Sequence, residues 1–178
     1  MNTIKSVSLI MMLIWVTPLW ASDTSGLNDG EIIGIYNQVN SFDIETALLA
    51  LTNSHSKKVK KLAKMVSTDH RGVRFAAAEL AEGIDAELLV PSLRQAAAKQ
   101  HYSKMIKLSE LKGKEFDSAY LLHEIEFHTV AIEVVKNILL PATTSDDLRQ
   151  HFEVVLPHFE HHLKSSIDVA KNLGYYHE

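Results

Sequence analysis

From about residue 40 onward, apolar side chains recur every three and four positions, and no run shows the period of two that a half-buried strand needs. Glycine and proline are scarce, so the pattern predicts an almost wholly helical domain. A first helix is expected over about 40–53, with an irregular or helical lead-in over 29–39. A second begins after Ser54, His55 and Ser56. It aligns Val59, Leu62, Ala63, Val66, His70, Val73, Ala77 and Leu80 on one face, and Gly83 ends it. Pro91 can occupy the first turn of a third, shorter helix that continues over Ala96 to Leu111 and stops by Gly113. The fourth covers about 115–139, where Pro141 prevents continuation. Thr144 and Asp147 have the spacing of a capping box for a fifth, which reaches about Leu173 and Gly174. Pro157 lies inside that last helix and is expected to kink it. Two long helix pairs joined by a crossover holding the short helix describe an all-α four-helix bundle with one additional element.

The first residues have a different character. Lys5 precedes an apolar run from Val7 to Trp20 broken by Ser8, Thr17 and Pro18, and small residues follow at Ala21 and Ser22. This is the layout of a secretory signal peptide over 1–21, with cleavage expected after Ala21. The run is too short to span a bilayer comfortably, so no stable membrane span is expected once the signal is removed. Taking 21 residues from 178 leaves 157, the size of one domain. The expected organisation is a lead-in over 22–39, the helical bundle over 40–174 and a short tail over 175–178.

Composition narrows the chemistry. The chain has no cysteine, which excludes disulfides and thiolate metal sites and leaves His, Asp, Glu and Tyr as candidate ligands. A formal charge of −4 and a pI near 6.2 argue against nucleic acid as a partner, because phosphate contacts need a basic surface. The run Lys57, Lys58, Lys60, Lys61 and Lys64 reads as the solvated face of a helix.

The informative anomaly lies in the fourth helix. Asp117, Glu124 and His128 fall at i, i+7 and i+11 within the stripe that also carries Leu121, Ile125, Ile132, Val135 and Leu139, so ionisable groups occupy a face that should be buried. Unpaired burial of such groups costs several kcal/mol, on the order of 2–7 for a polar group, or shifts the pKa until the group is neutral. His70 shares the apolar face of the second helix, and His162 flanks that of the fifth, whereas His161 points the other way. Asp69 sits off the core face, as an outer partner or a solvent residue. Asp43 either caps the first helix or points at the same cluster, and Tyr120 can donate its hydroxyl to it. His55, His101, His123, His151 and His177 read as surface residues or satisfied polar contacts. Two explanations of the inward set remain open. It can bind a first-row transition metal such as Zn, Cu or Fe, with His70, Asp117, Glu124, His128 and His162 as ligands, or another small ligand. It can also be a structural hydrogen-bond network in a non-catalytic interaction module. An enzyme is disfavoured, since no nucleophile with an adjacent base and no phosphate loop is present.

Three motifs resemble a known family. The run Lys60 to His70, the group Phe116-Asp117 with Tyr120 and then His128, and Leu156-Pro157 followed by His162-Leu163 are similar to the exported bacterial proteins grouped as domain of unknown function 4142. The resemblance spans about Asp43 to Leu173. It implies a ferritin-like bundle and export, and it points to Asp69, His70, Asp117, Tyr120, His128 and His162 as the recurring polar positions. It implies no activity. A di-iron carboxylate protein would need two Glu-x-x-His motifs, and this chain has none, so "ferritin-like" speaks of fold and not of iron chemistry.

Overall fold

The computed structural model describes residues 26–87, 89 and 93–177. The expected signal peptide and Pro91 lie outside them. Among these residues five long helices follow one another: α1 (Asp29–Asn53), α2 (Lys57–Gly83), α3 (Leu93–Glu110), α4 (Gly113–Val134) and α5 (Asp146–Asn172). They form the all-α four-helix bundle with one additional element that the periodicity predicts, in the ferritin-like fold that the resemblance implies. α1 packs mainly on α2, α4 on α5, and α2 on α5, while the shorter α3 lies against α1 and α4. No described helix is long and apolar enough to cross a membrane.

The boundaries show where local chemistry prevailed. The lead-in is helical and continuous with α1, because Asn28 and Glu31 make a reciprocal capping box at its start. Asp43 is therefore mid-helix and cannot be a cap. At the start of α5 the capping residue is Ser145, whose hydroxyl accepts from the Leu148 N–H at 3.3 Å. Thr144, the expected cap, is engaged elsewhere: its N–H and hydroxyl donate to the Asp29 carboxylate at 3.0 and 2.7 Å, and Ser145 N–H joins them at 2.9 Å. One carboxylate thus ties the start of α1 to the start of α5. Pro141 does not stop α4 at Leu139 either. A π-helical turn over Val135–Leu139 carries the chain into a final turn, Leu140–Ala142. The wider turn moves a carbonyl out of the way of the proline ring, which cannot donate the missing bond. Pro157 lies inside α5 as expected, and the helical run is unbroken across it.

The interior is divided into three levels. One apolar half gathers Ile32, Ile33 and Tyr36 of α1 with Ile132, Val135, Phe152 and Phe159. The other gathers Ala47 and Ala50 with Leu62, Val66, Phe116, Tyr120, Leu121 and Ala170. Between them every bundle helix turns polar at the same height. Asn40, Asp43 and Thr46 come from α1, Ser67 and His70 from α2, Glu124 and His128 from α4, and His162 and Ser166 from α5; all are buried. The segment that follows α2 lies tightly on α1. A methyl group on Gly30 or Gly34 would overlap the carbonyl oxygens of Glu87 or Leu89, which explains glycine at both positions.

Candidate metal centre

At the centre of the buried polar level stands one residue from each long helix of the bundle. Asp43, His70, His128 and His162 have exposures of 0, 2, 0 and 1 %. The Oδ2 atom of Asp43 lies 2.8 Å from His70 Nε2 and 3.3 Å from His128 Nε2. His162 Nδ1 is 3.3 Å from His70 Nε2. Ligand atoms of His70, His128 and His162 all lie within 4.8 Å of one another, as do those of Asp43, Glu124 and His128. The three imidazole centres are separated by 5.6, 5.2 and 5.2 Å. Phe159 stacks parallel on His70 at 5.2 Å and closes that side with apolar surface.

The outer partners decide which ring nitrogens face inward as lone pairs. Asn40 donates its amide to the Tyr36 carbonyl at 2.8 Å, so its oxygen is the atom that meets His70 Nδ1 at 2.7 Å, and that nitrogen carries the proton. His128 Nδ1 donates to the Glu124 backbone carbonyl at 3.0 Å. His162 Nε2 donates to the Asp69 carboxylate at 3.0 Å. By elimination, His70 Nε2, His128 Nε2 and His162 Nδ1 are unprotonated in the neutral rings, and all three face the Asp43 carboxylate or one another. Lone pairs this close repel unless a shared proton or a metal cation sits among them. Consistently, both Asp43 oxygens, His128 Nε2 and Glu124 Oε2 have no aligned hydrogen-bond partner although they are fully enclosed.

The electrostatics separate the two carboxyl groups. Burial opposes ionisation of Asp43, but attraction between its anionic form and the facing His70 and His128 rings outweighs it and holds this carboxyl below the usual range. Burial and then the Asp43 charge push Glu124 well above it. Asp43 is the anion and Glu124 keeps its proton, as expected when two carboxyls share one enclosure. Thr46 lies 3.5 Å from Glu124 Oε1 and donates to the Asp43 carbonyl at 3.0 Å. Burial depresses His128, and takes His162 to about 4, so both rings are neutral near pH 7.

Of the five ligands expected from sequence, His70, His128 and His162 meet in one group and Glu124 joins His128 in the other. Asp117 is in neither. It is buried in the apolar half with Phe116 and Tyr120, and its charge contributes, after burial, to raising the Tyr175 phenol. The residue underweighted was Asp43, which touches both His70 and His128. Its only signal was an acidic residue among apolar neighbours in α1. Asp69 is the outer partner of His162, one of the two roles open to it. His101 is a satisfied polar contact, 2.8 Å from Glu45 and stacked on Phe42 at 4.2 Å.

No curated protein matches this chain. Among solved structures it is similar to a DUF305 protein from Streptomyces coelicolor, assigned as secreted, with 13 % identity and a TM-score of 0.69 over 81 % of this chain and 92 % of that one. At that identity the likeness concerns the fold alone. The family described as domain of unknown function (DUF4142) matches residues 18–169, most of the chain, and the protein belongs to that family.

Proposed function

We propose that this protein is an exported helical bundle that binds one divalent first-row transition-metal ion through Asp43, His70, His128 and His162, with a role in metal handling or stress resistance at the cell envelope. The observation that carries the reading is the convergence of three imidazole lone pairs and one carboxylate, each from a different helix and each imidazole oriented by an outer acceptor. A tetrahedral ion with bonds of about 2.0–2.1 Å separates its ligand atoms by about 3.3 Å and three bound imidazole centres by about 5 Å. Three of the ligand-atom separations, Asp43 to His70 at 2.8 Å, Asp43 to His128 at 3.3 Å and His70 to His162 at 3.3 Å, and the ring separations of 5.2 to 5.6 Å lie close to that requirement. The three imidazole nitrogens lie within 4.8 Å of one another and would draw in around an ion. Imidazole with a single carboxylate suits Zn(II) or Cu(II), and the absence of cysteine and of methionine in this set disfavours Cu(I). Four protein ligands leave no open position, the pattern of a holding site and not of a catalytic one.

Export is supported by the Lys5 and Val7–Trp20 pattern. N-terminal sequencing of the protein recovered from the periplasm should begin at Ser22.

A second reading gives the cluster to a proton. His162 Nδ1 and His70 Nε2, 3.3 Å apart, can share one, and the network then only specifies the bundle. Elemental analysis of untagged protein from metal-replete cells separates the two. The metal reading expects about one equivalent of ion and, with Co(II), an intense tetrahedral visible spectrum. No stoichiometric metal, with no stability change on adding Zn, Cu or Fe, would leave the proton network standing.

A further inference from the structure

The three imidazoles are not held equally. His70 is fixed by Asn40, which is 0 % exposed and itself locked to the Tyr36 carbonyl. His128 is fixed by a carbonyl of its own helix, one turn back. Neither partner can leave without unmaking buried structure. His162 is held by Asp69, whose side chain is 39 % exposed. Water competes for an exposed acceptor, so a contact of this kind holds weakly. The seams of the bundle differ in the same sense. α3 lies against α1 and α4 and covers their side, whereas Asp69 and His162 meet between α2 and α5.

We infer that His162 is the movable ligand of the centre and that Asp69 is its solvent-facing latch, so that a divalent cation exchanges along the α2–α5 seam by release of the Asp69–His162 contact. This inference rests on the metal reading above and adds the route and the residue that controls it. Asp69 is a positioning residue, not a ligand: with the latch closed, His162 Nδ1 faces the ion, and with it open, the ring can turn outward while Asp43, His70 and His128 still hold their places. A latch controls passage in both directions. Weakening it speeds loading as well as release, whereas weakening a ligand speeds release alone.

The test is stopped-flow exchange of Zn(II) between the untagged full-length mature protein and a chromophoric chelator, for the wild type, Asp69→Ala and Asp69→Asn. Losing an outer partner of a metal-bound histidine changes affinity by about 10–100-fold. In Asp69→Ala the release rate should rise at least about tenfold and the association rate should rise with it, so that Kd moves by less than the release rate. Asp69→Asn, which keeps an acceptor without the charge, should fall between the other two. Unchanged release, or faster release with an equal shift in Kd, would overturn the latch and leave the centre intact. Slower association in Asp69→Asn with unchanged release would also overturn it, giving Asp69 only a role in attracting cations. A wild-type protein that takes up no zinc would overturn the metal reading itself, and the latch with it.

Discussion

Replacing Asp43 with Asn removes the one anion of the centre while leaving shape and volume nearly unchanged. The carboxylate lies 2.8 Å from His70 and 3.3 Å from His128, so an ion seated among the three imidazoles would lose its only neutralising ligand. In the wild type, zinc present at 100 times its Kd stabilises the folded state by about 2.7 kcal/mol. A domain of this size gains roughly 2–4 °C per kcal/mol, so the melting temperature should rise by about 5–11 °C. Loss of a direct ligand must exceed the 10–100-fold penalty typical of an outer partner. At the same zinc concentration the ratio of zinc to Kd then falls to about one or below, which stabilises by at most about 0.4 kcal/mol, or 1–2 °C. Metal-free stability should fall as well, since removing one partner of a buried charged contact costs about 3–5 kcal/mol, so the zinc shift of each protein is read against its own metal-free melting. Calorimetric melting with and without zinc measures all four states. An Asp43→Asn protein that keeps the full wild-type zinc shift would refute the assignment of Asp43 to the centre.

Asp117→Asn is the matched control. Asp117 belongs to neither ligand group, so its zinc shift should equal that of the wild type, and a loss of binding would mean that the ligand set is wrong. Gly34→Ala should destabilise by about 1–3 kcal/mol, since the new methyl overlaps the Leu89 carbonyl, while Gly72→Ala meets open space and should gain up to about 1 kcal/mol; denaturant titration that shows equal effects would refute the packing account. The metal-free protein should lose stability as pH falls from about 6.5 towards 4. Burial lowers His123 and His162 to about 4, and lowers His128 and His151. For these four the unfolded chain takes up protons first, so their contribution is complete above the unfolded pKa and disappears on acidification. Glu124, raised by burial, acts in the opposite sense but is outnumbered. Urea midpoints that are flat between pH 7 and 5 would count against this balance.

Periodicity alone determined the helices and the direction in which most of the site residues face. A residue's angle around a helix follows from counting at 100° per position, which is why His70, Glu124, His128 and His162 could be read as inward. Local signals set the ends less well. Thr144 has the right spacing for a cap, yet a carboxylate 115 residues away takes its hydroxyl. Asp43 was hard to weigh because Ile32, Ile33, Ile35 and Tyr36 are all buried, so α1 presents no single apolar face to point from. Asp117 illustrates the complementary limit. It shares the stripe of Glu124, but at about 1.5 Å per residue it lies roughly 10 Å further along the axis. The sequence of one helix specifies angle. It does not specify which level of that helix meets which level of its neighbours, and only the packing of four helices decided that Asp43, His70, His128 and His162 share a height while Asp117 sits in the apolar half beyond.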